Sequence, residues 1–361
     1  MKKALVAMSG GVDSSLALAL TLDEGYECAA VTMRLHHYKD NGLVPVGVCG
    51  SAEDVADAKA VAQSVGVSHE VLDFTADFSE KIVDPFIASY ERGDTPNPCI
   101  ECNRYMKFEK LMEAAKARGC EAIVTGHYAR VEKDEATGRM LLKKAVAAAK
   151  DQSYVLYFLT QEQLSSVRFP LGWYESKDEV RKEAAARGFS TAKKGDSQDI
   201  CFVPDGDYAS FIEKRTGKAY PIGNFIDVDG KILGKHQGLI RYTIGQRKGL
   251  GIALGEPMYV KEKNVAENTV TLARNDQLFS RSFIMDHVNL IDREKMTGPT
   301  HLSVKPRYKA IEAPALVTPL ADGRYLVEFD EPQRALTTGQ AAVMYNGDVV
   351  VGGGTIVFVC K

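Results

Sequence analysis

Two cysteines three positions apart offer the most reactive chemistry in this sequence. Cys99 and Cys102 form a C-x-x-C pair that follows two prolines. Because prolines impose an extended approach, we expect a helix to begin near Cys102 or Asn103. A thiol at a helix N-terminus, beside Arg104 and Lys107, is expected to have a lowered pKa and to be more often a thiolate. This placement predicts a nucleophile or a sulfur carrier.

Two other roles stay open for a C-x-x-C pair taken alone. Both cysteines could be buried structural residues, or they could bind zinc. Zinc needs two further ligands at comparable spacing, and the sequence contains no second C-x-x-C. A third cysteine, Cys201, lies in a short polar loop ahead of Phe202. That position favours exposure of its thiol over packing in a core.

A glycine-rich loop near the N-terminus predicts a second kind of chemistry. Residues 9–15 read Ser-Gly-Gly-Val-Asp-Ser-Ser, follow an apolar strand and open a helix. Backbone N–H groups at a helix start attract anions, and the glycines let the backbone approach a phosphate closely. Asp13 fits such a site if it holds Mg²⁺ that bridges phosphates. A Walker A lysine and a G-x-G-x-x-G pattern are both absent, and the alternative is a plain glycine turn with a serine cap.

The elements that must position these loops alternate along the first 200 residues. Apolar runs at 4–8, 28–33, 69–74 and 122–125 fit strands buried on both faces, as in a parallel sheet. Helical patterns separate them, including one that begins with a capping box at 51–54. The alternation predicts a doubly wound parallel α/β sheet. Such sheets bind ligands beyond the carboxyl ends of their strands, which is where the glycine loop falls.

The pattern changes after about residue 205. Short alternating segments are separated by the hairpin dipeptides Asp229-Gly230, Asp322-Gly323 and Asn346-Gly347. We interpret this half as mostly antiparallel β-structure in two modules. The expected domains are therefore residues 1–204, 205–280 and 281–361.

Composition narrows the class of protein. The 361 residues include 45 basic and 48 acidic side chains, and the net charge of −3 neither predicts nor excludes a nucleic-acid partner. Basic clusters at 241–248 and 305–309 are candidate phosphate contacts. Seven cysteines do not suit a secreted disulfide scaffold of this length, and no apolar run reaches membrane-spanning length. We expect a cytoplasmic protein with reduced thiols and no membrane partner.

The glycine loop resembles the pyrophosphate loop of the ATP pyrophosphatases, which cleave ATP between its α- and β-phosphates. Together with the cysteine segments, the chain resembles the bacterial tRNA-specific 2-thiouridylases. The matching segments run the length of the sequence, at 9–14, 33, 95–98, 102–103, 125–128, 150–154, 197–201, 242–247 and 352–354.

This resemblance implies an adenine-nucleotide-hydrolase-like N-terminal domain, a small central module and a C-terminal antiparallel β-barrel that contacts tRNA. It implies 2-thiolation of the wobble uridine in tRNAs for Lys, Glu and Gln. The reaction would use ATP and Mg²⁺ to adenylate the C2 oxygen, and a cysteine persulfide would then deliver sulfur. The implied partners are tRNA and a persulfide donor, such as a cysteine desulfurase or a relay protein. The oligomeric state stays open.

The resemblance also carries site roles over by position. Cys102 takes the nucleophile role and Cys201 the persulfide-carrying role. The implied ATP-binding residues are Ala7, Met8, Ser9, Gly10, Gly11, Val12, Asp13, Ser14, Met33 and Gly126. The implied contacts with the target base are Asn97, Pro98 and Cys99, and the other implied tRNA contacts are His127, Lys150, Asp151, Gln152, Arg307, Tyr308 and Gln340.

One position leaves the sulfur chemistry open. Some family members carry Asp where this chain has Cys99, and a carboxylate could act as a base where a thiol could not in the same way. Alternatively, Cys99, Cys102 and Cys201 could hold an iron–sulfur cluster with one open iron. Two rival functions also remain: an ATP pyrophosphatase that aminates a small molecule, and an RNA-binding module with an inactive nucleotide loop.

Overall fold

A computed structural model of the chain describes residues 2–36, 51–195 and 200–360. Positions 197–199 of the matching segment before Cys201 lie outside these ranges. Within them, no helix combines the length and the apolar character that a bilayer-spanning segment needs.

Buried apolar runs form a parallel sheet in the N-terminal domain, as the sequence predicts. Its central strand pairs on both sides, so that Leu5 lies opposite Ala29 on one neighbour and Ile123 on the other. The strands up to residue 168 are β1 (Lys3–Ala7), β2 (Glu27–Arg34), β3 (His69–Asp73), β4 (Ala122–Val124), β5 (Ala129–Lys133), β6 (Met140–Lys144) and β7 (Val167–Arg168). Five of them form the sheet, in the order β3-β2-β1-β4-β7.

Helices cover both faces of this sheet, because alternate residues of each strand point to opposite sides. Ala4 and Val6 pack in one buried cluster with Leu16, while Leu5 packs in another with Leu111. The helices are α1 (Val12–Asp23), α2 (Ala52–Ser64), α3 (Thr75–Phe78), α4 (Asp84–Glu91), α5 (Pro98–Glu101), α6 (Leu111–Ala117), α7 (Gln161–Ser166) and α8 (Lys177–Ala186). π-helical turns occupy Ser79–Val83 and Cys102–Lys110, and 3₁₀ turns occupy Ala148–Lys150, Ser153–Leu156, Pro170–Trp173 and Ser190–Lys193.

The central module is a helix followed by a small sheet with its own core. Phe225, Tyr242 and Val270 belong to one buried cluster inside it. The sheet has the order β10-β11-β8-β9, and β8 and β11 run parallel while the other neighbours are antiparallel. The elements are α9 (Tyr208–Thr216), β8 (Gly223–Ile226), β9 (Ile232–His236), β10 (Tyr259–Asn264) and β11 (Thr269–Ala273), with a 3₁₀ turn at Leu239–Arg241.

The C-terminal part is a closed six-stranded antiparallel barrel. The strands are β12 (Phe279–Leu290), β13 (Thr300–Lys305), β14 (Ala313–Pro319), β15 (Tyr325–Arg334), β16 (Ala341–Asn346) and β17 (Val349–Cys360), after a 3₁₀ turn at Asn275–Leu278. The order is β12-β15-β14-β13-β16-β17, and pairing of β17 with β12 closes the ring. The fold class predicted from the sequence is thereby confirmed.

The three hairpin dipeptides are also confirmed. They connect β8 to β9, β14 to β15, and β16 to β17. Their glycines, Gly230, Gly323 and Gly347, all have positive φ, the conformation for which these turns select glycine.

The hairpin of β5 and β6 links the first domain to the barrel, a feature that our sequence analysis did not identify. β6 pairs with β17, so that an eight-stranded sheet runs from the barrel into residues 129–144. The side chain of Arg130 reaches Asp348 at 2.7 Å, and that of Lys144 reaches Glu312 at 2.8 Å. The N-terminal domain and the barrel are therefore connected by strand pairing as well as by side-chain contacts.

Candidate active site

The glycine loop forms the turn between β1 and α1. Gly10 has φ of +75°, and a Cβ there would lie 2.3 Å from the carbonyl oxygen of Asp54. Only glycine fits this close approach without displacing the start of α2. The Ser14 hydroxyl accepts a hydrogen bond from the Ser9 backbone N–H at 3.1 Å, and it lies 3.1 Å from the carbonyl oxygen of Gly11. The loop is thus preformed around the N-terminus of α1, where backbone N–H groups favour an anion.

The segment 51–54 supports this loop from α2. Ser51 and Asp54 form the capping box that the sequence predicts, with a bond of 3.0 Å from the Asp54 backbone N–H to the Ser51 hydroxyl. Lys194 reaches the Asp54 carboxylate at 2.7 Å and the Asp57 carboxylate at 2.5 Å. The chain that leads toward Cys201 is therefore anchored on the helix that contacts Gly10.

Asp13 meets two partners from distant parts of the chain. Its carboxylate accepts hydrogen bonds from the Lys177 ammonium at 2.5 Å and from the Tyr128 hydroxyl at 2.7 Å. Gly126 comes so close to this helix start that a Cβ would lie 2.9 Å from the Ser14 nitrogen. Gly126, an implied ATP-binding residue, thus lies against the glycine loop (residues 9–15), the candidate phosphate loop.

Sequence reasoning missed Lys177. The signal for it was indirect: the loop contains a carboxylate and no lysine, so that a cation had to come from elsewhere in the fold. The side chain of Lys177 is only 10% exposed, at the start of α8. This ammonium pairs with Asp13 at the start of α1, a contact that the sequence alone did not locate.

The residues at this loop fit magnesium. Mg²⁺ is commonly bound by one or two carboxylates together with substrate phosphates and water, and Asp13 supplies one carboxylate at the mouth of the loop. When bound there, the ion would neutralise charge on the phosphates of a nucleotide.

The helix that carries Cys99 and Cys102, called the cysteine helix below, begins earlier than we predicted. It starts at Pro98, with Asn97 as its N-cap, rather than near Cys102 or Asn103. The Asn97 side chain accepts a hydrogen bond from the Cys99 backbone N–H at 3.2 Å. Asparagine is a favoured cap and proline a favoured first residue, and this combination fixes the helix start. Cys99 therefore lies in the first turn, and Cys102 begins a π-helical stretch that continues to Lys110.

Arg104 contacts acidic and aromatic neighbours on this helix. Its guanidinium lies 3.4 Å from the Glu101 carboxylate and 5.0 Å from the centre of the Phe158 ring. Burial raises the pKa of Glu101, and the nearby Arg104 opposes that shift. Arg104 thereby partly offsets the penalty that burial places on the ionised Glu101 carboxylate.

Cys102 and Cys201 share one environment although they are far apart in sequence. Both are partly buried, and both pack against the same hydrophobic cluster, which includes Phe202 and Met106. Met33 packs against this cluster as well, and together with Ala7 it also packs against the cluster under β1. Met33 of β2 thus connects the cluster around the two cysteines to the sheet, on the face opposite to the one that α1 covers.

A three-thiolate metal site is not formed in this arrangement. Among the residues that the structure describes, no group of three His, Cys, Asp or Glu side chains has the spacing of metal ligands. Cys99 is exposed, whereas Cys102 and Cys201 are partly buried. The three cysteines therefore do not fit an iron–sulfur cluster in this arrangement.

Tyr308 lies within electrostatic reach of three other implied contacts, Asp151, Lys150 and Cys99. Burial raises the pKa of the Tyr308 phenol, and the charges of Asp151 and Cys99 raise it further while Lys150 lowers it. Tyr308 is 40% exposed, and the Lys305 ammonium lies 5.6 Å from the centre of its ring. Basic and aromatic side chains together form a surface next to the cysteine helix that suits single-stranded RNA.

Arg307 is half-buried behind this surface. Burial lowers the pKa of its guanidinium, and the nearby Arg334 lowers it further while Tyr154 opposes the shift. Two guanidinium groups of the barrel thus lie within electrostatic reach of each other, which favours an anion beside them.

Three other implied contacts have structural partners. The Asp151 carboxylate accepts from the Ala145 backbone N–H at 3.0 Å, and the Gln152 side chain accepts from the Tyr128 backbone N–H at 2.9 Å. The Gln340 amide donates to the Thr95 carbonyl at 2.6 Å. All three side chains hold neighbouring backbone in place.

His127 is buried rather than presented on the surface around Tyr308. Its ring lies 2.7 Å from the Thr125 hydroxyl and packs between Phe108 and Phe169. Burial lowers its pKa well below the usual value, and the charge of Lys107 adds to this shift. In this structure the imidazole is a neutral packing and hydrogen-bonding group.

Comparisons with known proteins match nearly the whole chain to one family. Three family models match in succession: "tRNA methyl transferase HUP domain" at residues 2–205, "tRNA methyl transferase PRC-barrel domain" at 209–274 and "Aminomethyltransferase beta-barrel domain" at 280–356. The "tRNA-specific 2-thiouridylase MnmA" of Clostridioides difficile (strain 630) is 48% identical over 98% of both chains. The protein of the same name from Acetivibrio thermocellus is 47% identical over 98% of this chain and 99% of its own.

Solved structures include more distant similarities. The U34-tRNA thiolase NcsA from Methanococcus maripaludis, with its 4Fe–4S cluster, is 16% identical to this chain. The alignment covers 59% of this chain and 67% of that one, with a TM-score of 0.35.

Proposed function

This chain belongs to the tRNA-specific 2-thiouridylase family, and from that premise we propose that it thiolates C2 of the wobble uridine in tRNAs for Lys, Glu and Gln. The observation that carries the proposal is the shared environment of Cys102, Cys201 and Met33. Two thiols from separate segments pack on one cluster, and that cluster adjoins the strand beside the phosphate loop. A sulfur relay next to a nucleotide site needs this juxtaposition.

The first chemical step is activation of the base by ATP. The C2 oxygen of uracil is a poor leaving group, so it attacks the α-phosphorus and becomes a phosphate ester while pyrophosphate departs. The N–H groups at the start of α1 and the Lys177 ammonium support this role, because both favour the charge of the departing pyrophosphate. Asp13 would hold Mg²⁺ at the same site once Lys177 bonds to the pyrophosphate in place of the Asp13 carboxylate.

The second step is transfer of sulfur. An external donor loads Cys201 as a persulfide, whose terminal sulfur attacks C2 and expels AMP. The Cys102 thiolate then attacks the Sγ of Cys201, so that a Cys102–Cys201 disulfide forms and sulfur stays on the base as the thiocarbonyl. A thiol reductant must cleave the disulfide before the next cycle. The common packing environment of the two cysteines supports this pairing.

The target base would be presented from the exposed side of the cysteine helix. Anticodon-loop bases are single-stranded, so turning one into a pocket costs little pairing energy. Exposed Cys99 lies near Tyr308 and Lys150, which supports recognition of the base and its phosphates there. These contacts combine stacking with local positive charge, and the whole chain needs no positive net charge for them.

The decisive assay combines ATP, Mg²⁺, a persulfide donor and unmodified tRNA, followed by quantification of 2-thiouridine and pyrophosphate. We expect both products from the wild type. Cys201→Ser and Cys102→Ser should each abolish 2-thiouridine, whereas Cys120→Ser should not, because Cys120 lies outside the shared cluster.

Each rival function predicts a different result in this assay. A small-molecule ATP pyrophosphatase would show no requirement for tRNA or for the two cysteines. A non-catalytic binding module would bind tRNA without releasing pyrophosphate. Full thiolation by Cys201→Ser would disprove the persulfide assignment.

A further inference from the structure

The segment that leads into the cysteine helix is held by the barrel. The Thr95 backbone N–H donates to the Thr338 carbonyl at 3.0 Å, and the Thr338 hydroxyl donates to the Asp94 carboxylate at 2.7 Å. The Gln340 amide donates to the Thr95 carbonyl at 2.6 Å. Both backbone hydrogen-bonding groups of Thr95 are therefore paired with a turn more than 240 residues away.

The barrel turn at 337–340 is itself firmly attached. Gly339 has φ of +83°, and a Cβ there would lie 3.0 Å from both the Asp94 Cβ and the Thr95 nitrogen. The Gly339 N–H donates to the Ile356 carbonyl at 2.9 Å, and the Ile356 N–H donates to the Gln340 carbonyl at 2.8 Å. The turn is thus hydrogen-bonded to β17 and packed against the segment it holds.

Little flexibility separates this contact from the cysteines. Only Pro96 and Asn97 lie between Thr95 and the first helical residue, Pro98. The two prolines fix their own φ and restrict the residues before them, and Asn97 caps the helix. The direction of the Thr95 backbone therefore determines where the cysteine helix begins and how Cys99 and Cys102 are presented.

We propose that Thr338 and Gln340 are positioning residues for the cysteine helix, so that the barrel holds the sulfur-transfer nucleophile in place. The proposal rests on the function proposed above. It gives Gln340 a role that acts through the Thr95 backbone instead of through RNA. A catalytic thiol displaced by about 1 Å loses on the order of 100-fold in rate, so a distant hydrogen bond can control the reaction.

The test replaces the donating amide by an isosteric acceptor. Gln340→Glu would place a carboxylate oxygen against the Thr95 carbonyl, so the bond is lost and repulsion displaces the segment. The matched control is Gln333→Glu, the same change on the same barrel, because the Gln333 amide donates within its own strand, to the Glu331 carbonyl. The principal readout is iodoacetamide alkylation of Cys102 without tRNA, followed by peptide mass spectrometry across pH.

We expect Gln340→Glu to change the alkylation rate of Cys102 by about tenfold or to shift its pH midpoint, while Gln333→Glu behaves as wild type. In thiolation assays kcat should fall about tenfold or more, with KM for tRNA within about twofold. Thr338→Val should change Cys102 reactivity in the same direction, and Thr338→Ser should restore it, because serine keeps the hydroxyl bonded to Asp94.

Two results would overturn the positioning role. One is a Gln340→Glu alkylation profile identical to wild type together with weaker tRNA binding, which would make Gln340 an RNA contact. The other is an identical profile with only a lower melting temperature, which would make its role structural. Because alkylation is measured without RNA, a wild type that fails to thiolate tRNA would disprove the proposed function and leave this test intact.

Discussion

Lys263 places a charge at the contact between the central module and the N-terminal, catalytic domain. Its Nζ is buried, lies 5.8 Å from the centre of the Tyr90 ring, and has no hydrogen-bond partner among the described residues. Burial lowers the pKa of Lys263 to about 8, and the Asp94 carboxylate opposes the shift. A buried ammonium without a hydrogen-bond partner destabilises the folded state.

We expect Lys263→Met to stabilise the protein at pH 7, by about 1–3 kcal/mol, because the methionine fills the same space without a charge. The folded pKa lies below the unfolded one, so between pH 8 and about 10.5 the unfolded state binds more protons and the wild type gains stability as pH rises. The advantage of the variant should therefore shrink across that range. Urea unfolding at pH 7 and pH 10 measures both differences.

The control for this prediction is Lys261→Met, which removes an exposed lysine from the same strand. It should change the free energy of unfolding little at either pH. An advantage of Lys263→Met that is equal at pH 7 and pH 10 would contradict the buried-charge explanation.

At the scale of elements, the start of the cysteine helix depends on one side chain. Pro98 has no N–H, so the Cys99 N–H is the first donor of the helix, and Asn97 accepts it. We expect Asn97→Ala to lower the free energy of unfolding by about 1 kcal/mol and Asn97→Asp to preserve it, because aspartate caps equally well. Urea denaturation distinguishes the two. Equal losses in both variants would show that the cap does not hold this helix.

The sequence predicts most of the elements because their signals are local. Buried apolar runs mark the strands of the parallel sheet, and the Asp-Gly and Asn-Gly dipeptides mark three hairpins. The capping box at Ser51 and Asp54 is likewise confirmed. The cysteine helix begins four or five residues before the predicted start, because proline favours the first helical position as well as imposing an extended approach.

The features that the sequence does not reveal are contacts between distant segments. Lys177 reaches Asp13 across 164 residues, and the Gln340 amide reaches the Thr95 carbonyl across 245. Neither pair leaves a local pattern, because nothing in the sequence distinguishes this lysine or this glutamine from the others in the chain. The site was predictable as a set of loops and thiols, whereas the side chains that orient them needed the folded chain.

At the scale of the molecule, the catalytic domain and the barrel share a core. One buried cluster contains Ala129 and Leu142 of the linking hairpin, Tyr154 of the catalytic domain, and Val343 and Tyr345 of the barrel. The central sheet instead has a separate cluster. Burying apolar surface between two parts makes their unfolding cooperative, so the first two parts should unfold together.

A pair of matched cavities tests this arrangement. Val343→Ala removes two fully buried methyl groups from the shared cluster, and Val270→Ala makes the same change in the central sheet. Each should cost about 2 kcal/mol. Peptide-resolved hydrogen exchange should show Val343→Ala accelerating exchange equally in β1, β4 and the barrel strands, whereas Val270→Ala should accelerate it only in β8 to β11. Exchange confined to the barrel in Val343→Ala would mean that the two domains unfold separately, and that the barrel could detach from Thr95 while the catalytic sheet stays folded.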